Sequence, residues 1–353
     1  MSTRERLATM LHRAGALGAL MLLRKLAPVP STVSILTYHH VAGHDTAYPY
    51  DPGVADASPA QFRRQMEMLA RYGTPIGVDE LVRAVEGAAL PKNAVMVTFD
   101  DGYRSCHDVV LPILRAVGMR ATFFVPTGFV NDRKLYWWER VAVVLGQARV
   151  EKATLTYPYR FEISARDPRS HRTLTDVIKN TPNLDTDRFV DDLCTAFGVE
   201  WNAAIEAQHA DNLIMSWDHI RALSRAGMDV ESHTRWHRVL QTLDDQALED
   251  ELAGSRRDLE TQIGRPVRVV AYPVGRRVAH VKRIRDAVVA AGYKVGVTNS
   301  SGATRIWPEP LSEMIPTDRF DISRLSTDRD MSDAMYFTQI AVPSLAYIGR
   351  HDL

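Results

Sequence analysis

A chain of 353 residues with 43 basic and 43 acidic side chains carries no formal net charge, and 45% of it is hydrophobic. That balance fits a soluble globular protein with a large core and argues against a nucleic-acid partner, which ordinarily leaves a marked basic excess. The two cysteines, Cys106 and Cys194, have no paired spacing, which speaks against a disulfide framework or a cysteine metal site.

At the N-terminus Arg4, Arg6 and Arg13 precede or interrupt the apolar stretch 14–23, which Arg24 and Lys25 close. The stretch is shorter than the roughly 20 apolar residues needed to span a bilayer, and no small-residue cleavage site follows. Residues 1–30 read as one basic amphipathic helix that either lies on a membrane surface or packs on the domain. The expectation is a cytoplasmic protein associated with the inner membrane surface.

From residue 31 onward, predicted strands near 34–38, 94–99, 121–125, 228–232, 267–272 and 294–298 alternate with helices. This alternation predicts an α/β fold with a (β/α) barrel rather than separate sheet and helix domains. Ser58-Pro59-Ala60-Gln61 forms a capping box with proline at the first helical position, and Phe62, Met66 and Leu69 then fall on one face. Further helices are expected at 217–226 and 244–263. Residues 131–213 break the rhythm and predict a mainly helical insertion beside the site, where Trp137 and Trp138 favour core packing over sugar stacking.

Two fragments carry chemistry. The first, Thr98-Phe99-Asp100-Asp101-Gly102-Tyr103, ends the short apolar run 94–99 with two acids. Adjacent residues of a strand face opposite ways, so the carboxylates can share one site only if the chain turns there, for which Gly102 supplies freedom. The plain alternative is a local β-turn. The second, His233-Thr234-Arg235-Trp236-His237, places two histidines four apart, which turns both imidazoles to one side at helical or turn spacing. Two neutral imidazoles and one carboxylate hold a divalent metal while leaving positions open for water and substrate.

With these fragments the chain resembles the polysaccharide deacetylases, carbohydrate esterase family 4, whose shared region is the NodB homology domain. The resemblance runs from about Ser34 to Arg324. Thr-Phe-Asp-Asp-Gly-Tyr is similar to the family's first motif, His-Thr-x-x-His to its second, and Ala271-Tyr272-Pro273-Val274-Gly275 to its third. Ile35-Leu36-Thr37-Tyr38-His39-His40-Val41, Ala121-Thr122-Phe123-Phe124-Val125 and Trp137-Trp138-Glu139-Arg140-Val141 resemble the branch found with bacterial exopolysaccharide loci. The resemblance implies an irregular barrel of about seven strands. It also implies Asp101, His233 and His237 as ligands of one divalent ion, zinc first with cobalt, nickel or iron as alternatives. Asp100 would be the uncoordinated base, the backbone N–H near Tyr103 a stabiliser of the oxyanion, and Tyr103, Tyr272, Pro273 and Gly275 substrate-binding positions.

The implied activity is metal-dependent removal of acetyl groups from N-acetylhexosamine, in a bacterial exopolysaccharide or cell-surface glycan or its lipid-linked precursor. A deformylase or deacetylase of a polyprenyl-linked amino sugar, or a non-catalytic glycan-binding protein on the same fold, are the alternatives. The sequence departs from many relatives twice. No Leu-His motif supplies a general acid, which leaves His39 and His40 as candidates. Ala271 stands where relatives carry an arginine that pairs with the base, which leaves Arg324, with Arg268 second, to orient Asp100.

Overall fold

The computed structural model describes residues 2–26, 32–43, 48–278, 280–306 and 317–343. Short β-rich runs end at glycine, proline or acidic turns, and seven of them become strands: β1 (Thr32–Tyr38), β2 (Ala94–Phe99), β3 (Thr122–Val125), β4 (Asp229–Ser232), β5 (Val269–Ala271), β6 (Val295–Ser301) and β7 (Ile322–Ser326). Each pairs in parallel with the next, and β7 pairs with β1, so the sheet closes into a barrel whose strand order is the chain order. The expected irregular barrel is present, and β7, absent from the strands marked by their apolar runs, completes it.

Strand alternation divides the core. Val33, Ile35, Ala94, Met96, Phe124, Val269, Ala271, Val295, Val297 and Ile322 form one buried cluster on the inward faces, which the helix Val78–Val85 also joins through Val78, Leu81 and Val82. The opposite parity, including Leu36, Val95, Val97 and Phe123, packs against the outer helices in the larger cluster.

The N-terminal segment is two helices rather than one: α1 (Thr3–Arg13) and α2 (Ala16–Leu26). Gly15 breaks them because it adopts φ +71°, a left-handed conformation that only glycine takes without strain. Both pack on α8 (Asp333–Ala341), burying Ala8, Leu17 and Met21. No helix among the described residues is long and apolar enough to cross a membrane.

α3 (Pro59–Tyr72) starts at the Ser58 capping box read from the sequence. The segment between β3 and β4 contains α4 (Trp137–Gln147), α5 (Ser170–Asn180), α6 (Thr186–Phe197) and α7 (Ala203–Leu213), with an antiparallel hairpin of Lys152–Leu155 and Phe161–Ser164 between α4 and α5. Trp137 and Trp138 are both buried at the start of α4.

Candidate active site

The site lies at the C-terminal ends of the strands, the rim where such barrels place reactive groups. Along β2 the residues Ala94, Met96 and Thr98 face inward, and Asp100 continues that parity. Arg324 does the same from β7, two residues beyond the inward Ile322. The two meet inside the barrel: Arg324 Nη1 donates to Asp100 Oδ1 at 2.7 Å and Nη2 to Oδ2 at 2.6 Å. Its Nε donates to the Thr298 carbonyl at 3.0 Å and Nη1 also reaches Thr98 Oγ1 at 3.2 Å. Arg324 is fully buried and has every nitrogen occupied. Burial alone would raise the Asp100 carboxyl, but the Arg324 guanidinium holds it well below the usual carboxylate range.

Immediately after, the chain turns. Asp101 takes φ +69° and Gly102 φ +73°, so two successive left-handed residues swing the second carboxylate out of strand alternation and beside the first. A non-glycine residue held in this region stores backbone strain, and such strain recurs at functional sites. One tertiary and one local bond hold the turn: the Tyr136 hydroxyl donates to the Asp101 carbonyl, and the Gly102 N–H donates to the Asp100 carbonyl two residues back at 2.9 Å.

His233 follows β4 and His237 ends the next loop, where Thr234 and His237 themselves take positive φ, +64° and +50°. Buried Glu251 ties this loop down, because its Oε2 accepts the N–H groups of Arg235 at 2.8 Å and Trp236 at 2.9 Å. Glu251 lies in a π-helical turn, Asp250–Gly254, inside the segment predicted as a continuous helix over 244–263. His233 Nδ1 lies 2.8 Å from the Ala271 carbonyl, which requires the proton on Nδ1 and leaves Nε2 with a lone pair.

That lone pair faces Asp101 Oδ1 at 3.4 Å, and His237 Nε2 faces the same oxygen at 3.5 Å. Asp101 Oδ1 is buried without any hydrogen-bond partner. An imidazole lone pair and a carboxylate oxygen turned toward one another call for a cation between them. The residues therefore fit a divalent metal, with Asp101, His233 and His237 offering ligand atoms all within 4.8 Å of one another. A second group of the same kind, His107, Asp108 and His219, is more exposed, and Arg104 already pairs with Asp108 at 2.9 Å.

The structure treats the remaining sequence candidates unequally. Tyr103 is buried at the site, its hydroxyl donating to Glu139 Oε1 at 2.6 Å and accepting from Trp138 Nε1 at 2.9 Å. Its backbone N–H takes no partner among the described residues. Glu139 Oε2 in turn accepts the Asp51 N–H at 2.7 Å, and burial pushes Glu139 up to about 8. Tyr272 points away: the inward position is Ala271, so the Tyr272 ring faces outward and its hydroxyl donates to the Phe320 carbonyl at 3.0 Å. A side-chain role in binding substrate is corrected accordingly. Pro273 is buried and opens a short turn, and Gly275, at φ +70°, packs where a Cβ would stand 2.3 Å from the Asn299 side chain. These two shape the rim.

Of the two candidates for orienting Asp100, Arg268 is turned to the surface, where it pairs with Asp79 at 2.5 Å. His39 and His40 also part ways. His40 Nδ1 is bound to Ser105 Oγ at 2.8 Å, and burial lowers it to about 4. His39 Nδ1 lies 3.1 Å from Asp56 Oδ2; burial works against its charge, but Asp56, with Asp101 and Asp100 beyond, raises it to about 10. The parallel register of β1 and β2 sets Tyr38 against Phe99, and the Asp100 N–H donates to the Tyr38 carbonyl at 2.8 Å, so His39 stands next to the paired acids. Asp56 and Glu251 were not singled out in the sequence, where no motif marks them, and Glu139 stood inside the Trp137–Val141 stretch without a role.

Two imidazoles and a carboxylate around one point, with a second carboxylate free of that point and locked to an arginine, form a candidate donor set for a divalent ion at the rim of a parallel barrel. The polysaccharide deacetylase family profile matches residues 87–296, and the chain belongs to that family, a class of hydrolases. A Bacillus subtilis protein named as a polysaccharide deacetylase, YxkH, is 29% identical over 86 residues, which are 24% of this chain and 30% of that relative. The aligned part thus spans about a third of the curated relative's length. Among solved structures, the Streptococcus pyogenes deacetylase PplD in complex with acetate is similar with a TM-score of 0.57 at 17% identity, covering 89% of this chain and 100% of that one. IcaB from Ammonifex degensii gives a TM-score of 0.51 at 16% identity over 90% and 97% of the two chains. At these identities the two structures speak for the fold.

Proposed function

We propose that the protein is a metal-dependent N-deacetylase that hydrolyses the acetamido group of an N-acetylhexosamine in a bacterial cell-surface glycan or its lipid-linked precursor. The observation that carries this reading is the division of labour between adjacent acids: Asp101 faces His233 and His237, while Asp100 is held ionised by Arg324. A binding module has no need for an ion site and a free base side by side.

Asp101, His233 and His237 would hold the metal, with zinc, cobalt, nickel and iron all suited to this donor set. When bound, it supplies a Lewis acid and an acidified water. Asp100 takes the proton from the attacking water, and Arg324 keeps its carboxylate ionised and aimed. The Tyr103 N–H is placed to donate to the oxygen that becomes negative in the tetrahedral state. His39, kept cationic by Asp56, is the group equipped to protonate the departing amine. Acetate and a free amine leave.

Four of the seven large apolar side chains exposed among the described residues, Met10, Leu22, Leu23 and Leu26, lie on α1 and α2 beside Arg6, Arg13, Arg24 and Lys25. This supports peripheral contact with an anionic membrane surface and favours a substrate reached there. The deciding experiment is acetate release from N-acetylglucosamine oligosaccharides and polyprenyl-linked N-acetylhexosamine by protein loaded with one defined metal at a time. Release that requires Asp100 supports the reading; no release from any of them with any metal overturns it.

A further inference from the structure

Three cations gather on the His237 side of the site, none of them in an ion pair among the described residues. Lys179, at the end of α5, and Arg238 line one cleft together with His237. Arg276, just past the Tyr272-Pro273-Val274-Gly275 turn, donates to the Asn180 side-chain oxygen at 2.6 Å, which sets it beside Lys179. Arg238 spends one nitrogen on the Leu184 carbonyl at 3.2 Å. None of the three has a carboxylate within ion-pair distance among the described residues. All three are half-buried.

The neighbouring cleft makes the contrast. It has a volume of about 400 Å³, runs between α6 and the loop bearing Trp236, and shares Trp137, Leu184, Thr186 and Arg238 with the first. Its own cations are paired, Lys134 with Asp187 at 2.6 Å and Arg140 with Asp191 at 2.5 Å. Among the described residues, cations along this groove are thus paired except next to the reacting centre. Half-buried like charges held together without a counter-charge are unfavourable, and an arriving oxyanion relieves that while accepting charge-assisted hydrogen bonds.

Resting on the deacetylase reading, we infer that Lys179, Arg238 and Arg276 form an anion subsite that binds a phosphate or carboxylate carried by the substrate next to its N-acetylated sugar. The insertion between β3 and β4 supplies Lys179 and the wall of the groove, and the barrel loops supply the two arginines. The anion fixes the sugar so that its acetamide meets Asp100.

The test is calorimetric binding to the full chain, which needs no turnover, of three probes: methyl N-acetylglucosaminide, N-acetylglucosamine 1-phosphate, and a disaccharide of N-acetylglucosamine and glucuronic acid. One or both anionic probes should bind at least about tenfold more tightly than the neutral glycoside, with an advantage that shrinks as salt rises. Preference for the phosphate assigns a glycosyl phosphate, and preference for the disaccharide an acidic polymer. In the triple variant Lys179→Gln, Arg238→Gln, Arg276→Gln the advantage should fall to about one. Equal binding of charged and neutral probes by the unmodified protein, or an advantage that survives in a folded triple variant, overturns the inference. The salt dependence is read on unmodified protein and stands even if the variant fails to fold. Loss of acetate release with the binding preference intact would instead strike the deacetylase reading.

Discussion

Arg324 and Asp100 face each other across the barrel from strands 224 residues apart, joined by two hydrogen bonds of 2.7 and 2.6 Å with both side chains buried. The pairing answers the absence of an arginine at Ala271. A guanidinium fixes a carboxylate at both oxygens only from a suitable distance and plane, and β7 provides that position because its inward parity runs through Ile322 and Arg324. The arginine is in turn pinned by the Thr298 carbonyl, so the orientation of the base is built into the barrel wall.

Arg324→Lys should retain a charge but lose the planar fork, and Arg324→Met should leave a buried carboxylate alone. Removing one partner of a buried pair costs about 3–5 kcal/mol, so the methionine variant should show a large fall in thermal stability. Without the cation, burial lifts the Asp100 pKa, and the acid limb of the kcat/KM profile should move to higher pH. A pH profile of Arg324→Met that overlays the unmodified protein would remove Arg324 as the group that keeps Asp100 ionised.

Asp101→Asn, His233→Ala and His237→Ala should each reduce the metal retained after dialysis, measured by plasma emission. Asp100→Asn should retain it and lose turnover by a factor on the order of the 10²–10⁴ typical of a general base. Equal metal loss in Asp100→Asn would place that carboxylate among the ligands.

Much of this site was legible in sequence because its two halves sit directly after short strand runs, the apolar Val95 to Phe99 and the buried-looking Met228 to Ser232, where strand ends and turn chemistry are local properties. Parity also carried information: with Ala271 inward, Tyr272 has to face out, a conclusion the third motif's residue types alone did not yield. Asp56, Tyr136 and Glu251 were not legible, since each reaches the site through tertiary packing and nothing local to its segment points there. The break at Gly15 escaped for a different reason. A glycine inside an apolar helical stretch is tolerated, and only its φ shows that the chain turns there.

Glu251 gives a prediction at a residue remote from any motif. Its carboxylate satisfies two N–H groups between the histidines, so Glu251→Ala should leave both buried and unpaired at about 1–3 kcal/mol each, while Glu251→Gln should rescue most of that stability. Supporting groups of this kind typically affect metal affinity by about 10–100-fold. Competition with a chromophoric chelator would measure it, and unchanged affinity in a folded Glu251→Ala protein would show that the loop holds His237 without it.

With His39 as the proposed acid, that side chain should set the alkaline side of the pH profile. A group raised to about 10 stays protonated through neutral pH and stops donating as pH rises through that value, so kcat should hold on the alkaline side and then fall. Asp56→Asn removes the main charge that favours the cation, leaving burial to lower the pKa, and the alkaline limb should move toward neutrality. The companion His40→Gln should leave that limb where it is, because His40 is bound to Ser105 and uncharged. Movement of the limb in His40→Gln but not in Asp56→Asn would exchange the two roles.

The outward face of α2 makes a membrane prediction that does not depend on catalysis. Ala19, Leu22, Leu23 and Leu26 fall within about 100° of helical turn, with Leu22, Leu23 and Leu26 exposed at 53%, 63% and 85%, while Leu17, Gly18 and Met21 on the other side are buried. An interfacial helix needs such a stripe together with cations at its edges, here Arg24 and Lys25. Vesicles of phosphatidylglycerol should therefore sediment the protein and neutral phosphatidylcholine vesicles should not, with binding weakened by salt. Leu22→Ser, Leu23→Ser and Leu26→Ser together remove apolar area without touching the buried face, so they should abolish sedimentation and leave thermal stability nearly unchanged. Sedimentation that persists in the triple serine variant would place the contact elsewhere on the molecule.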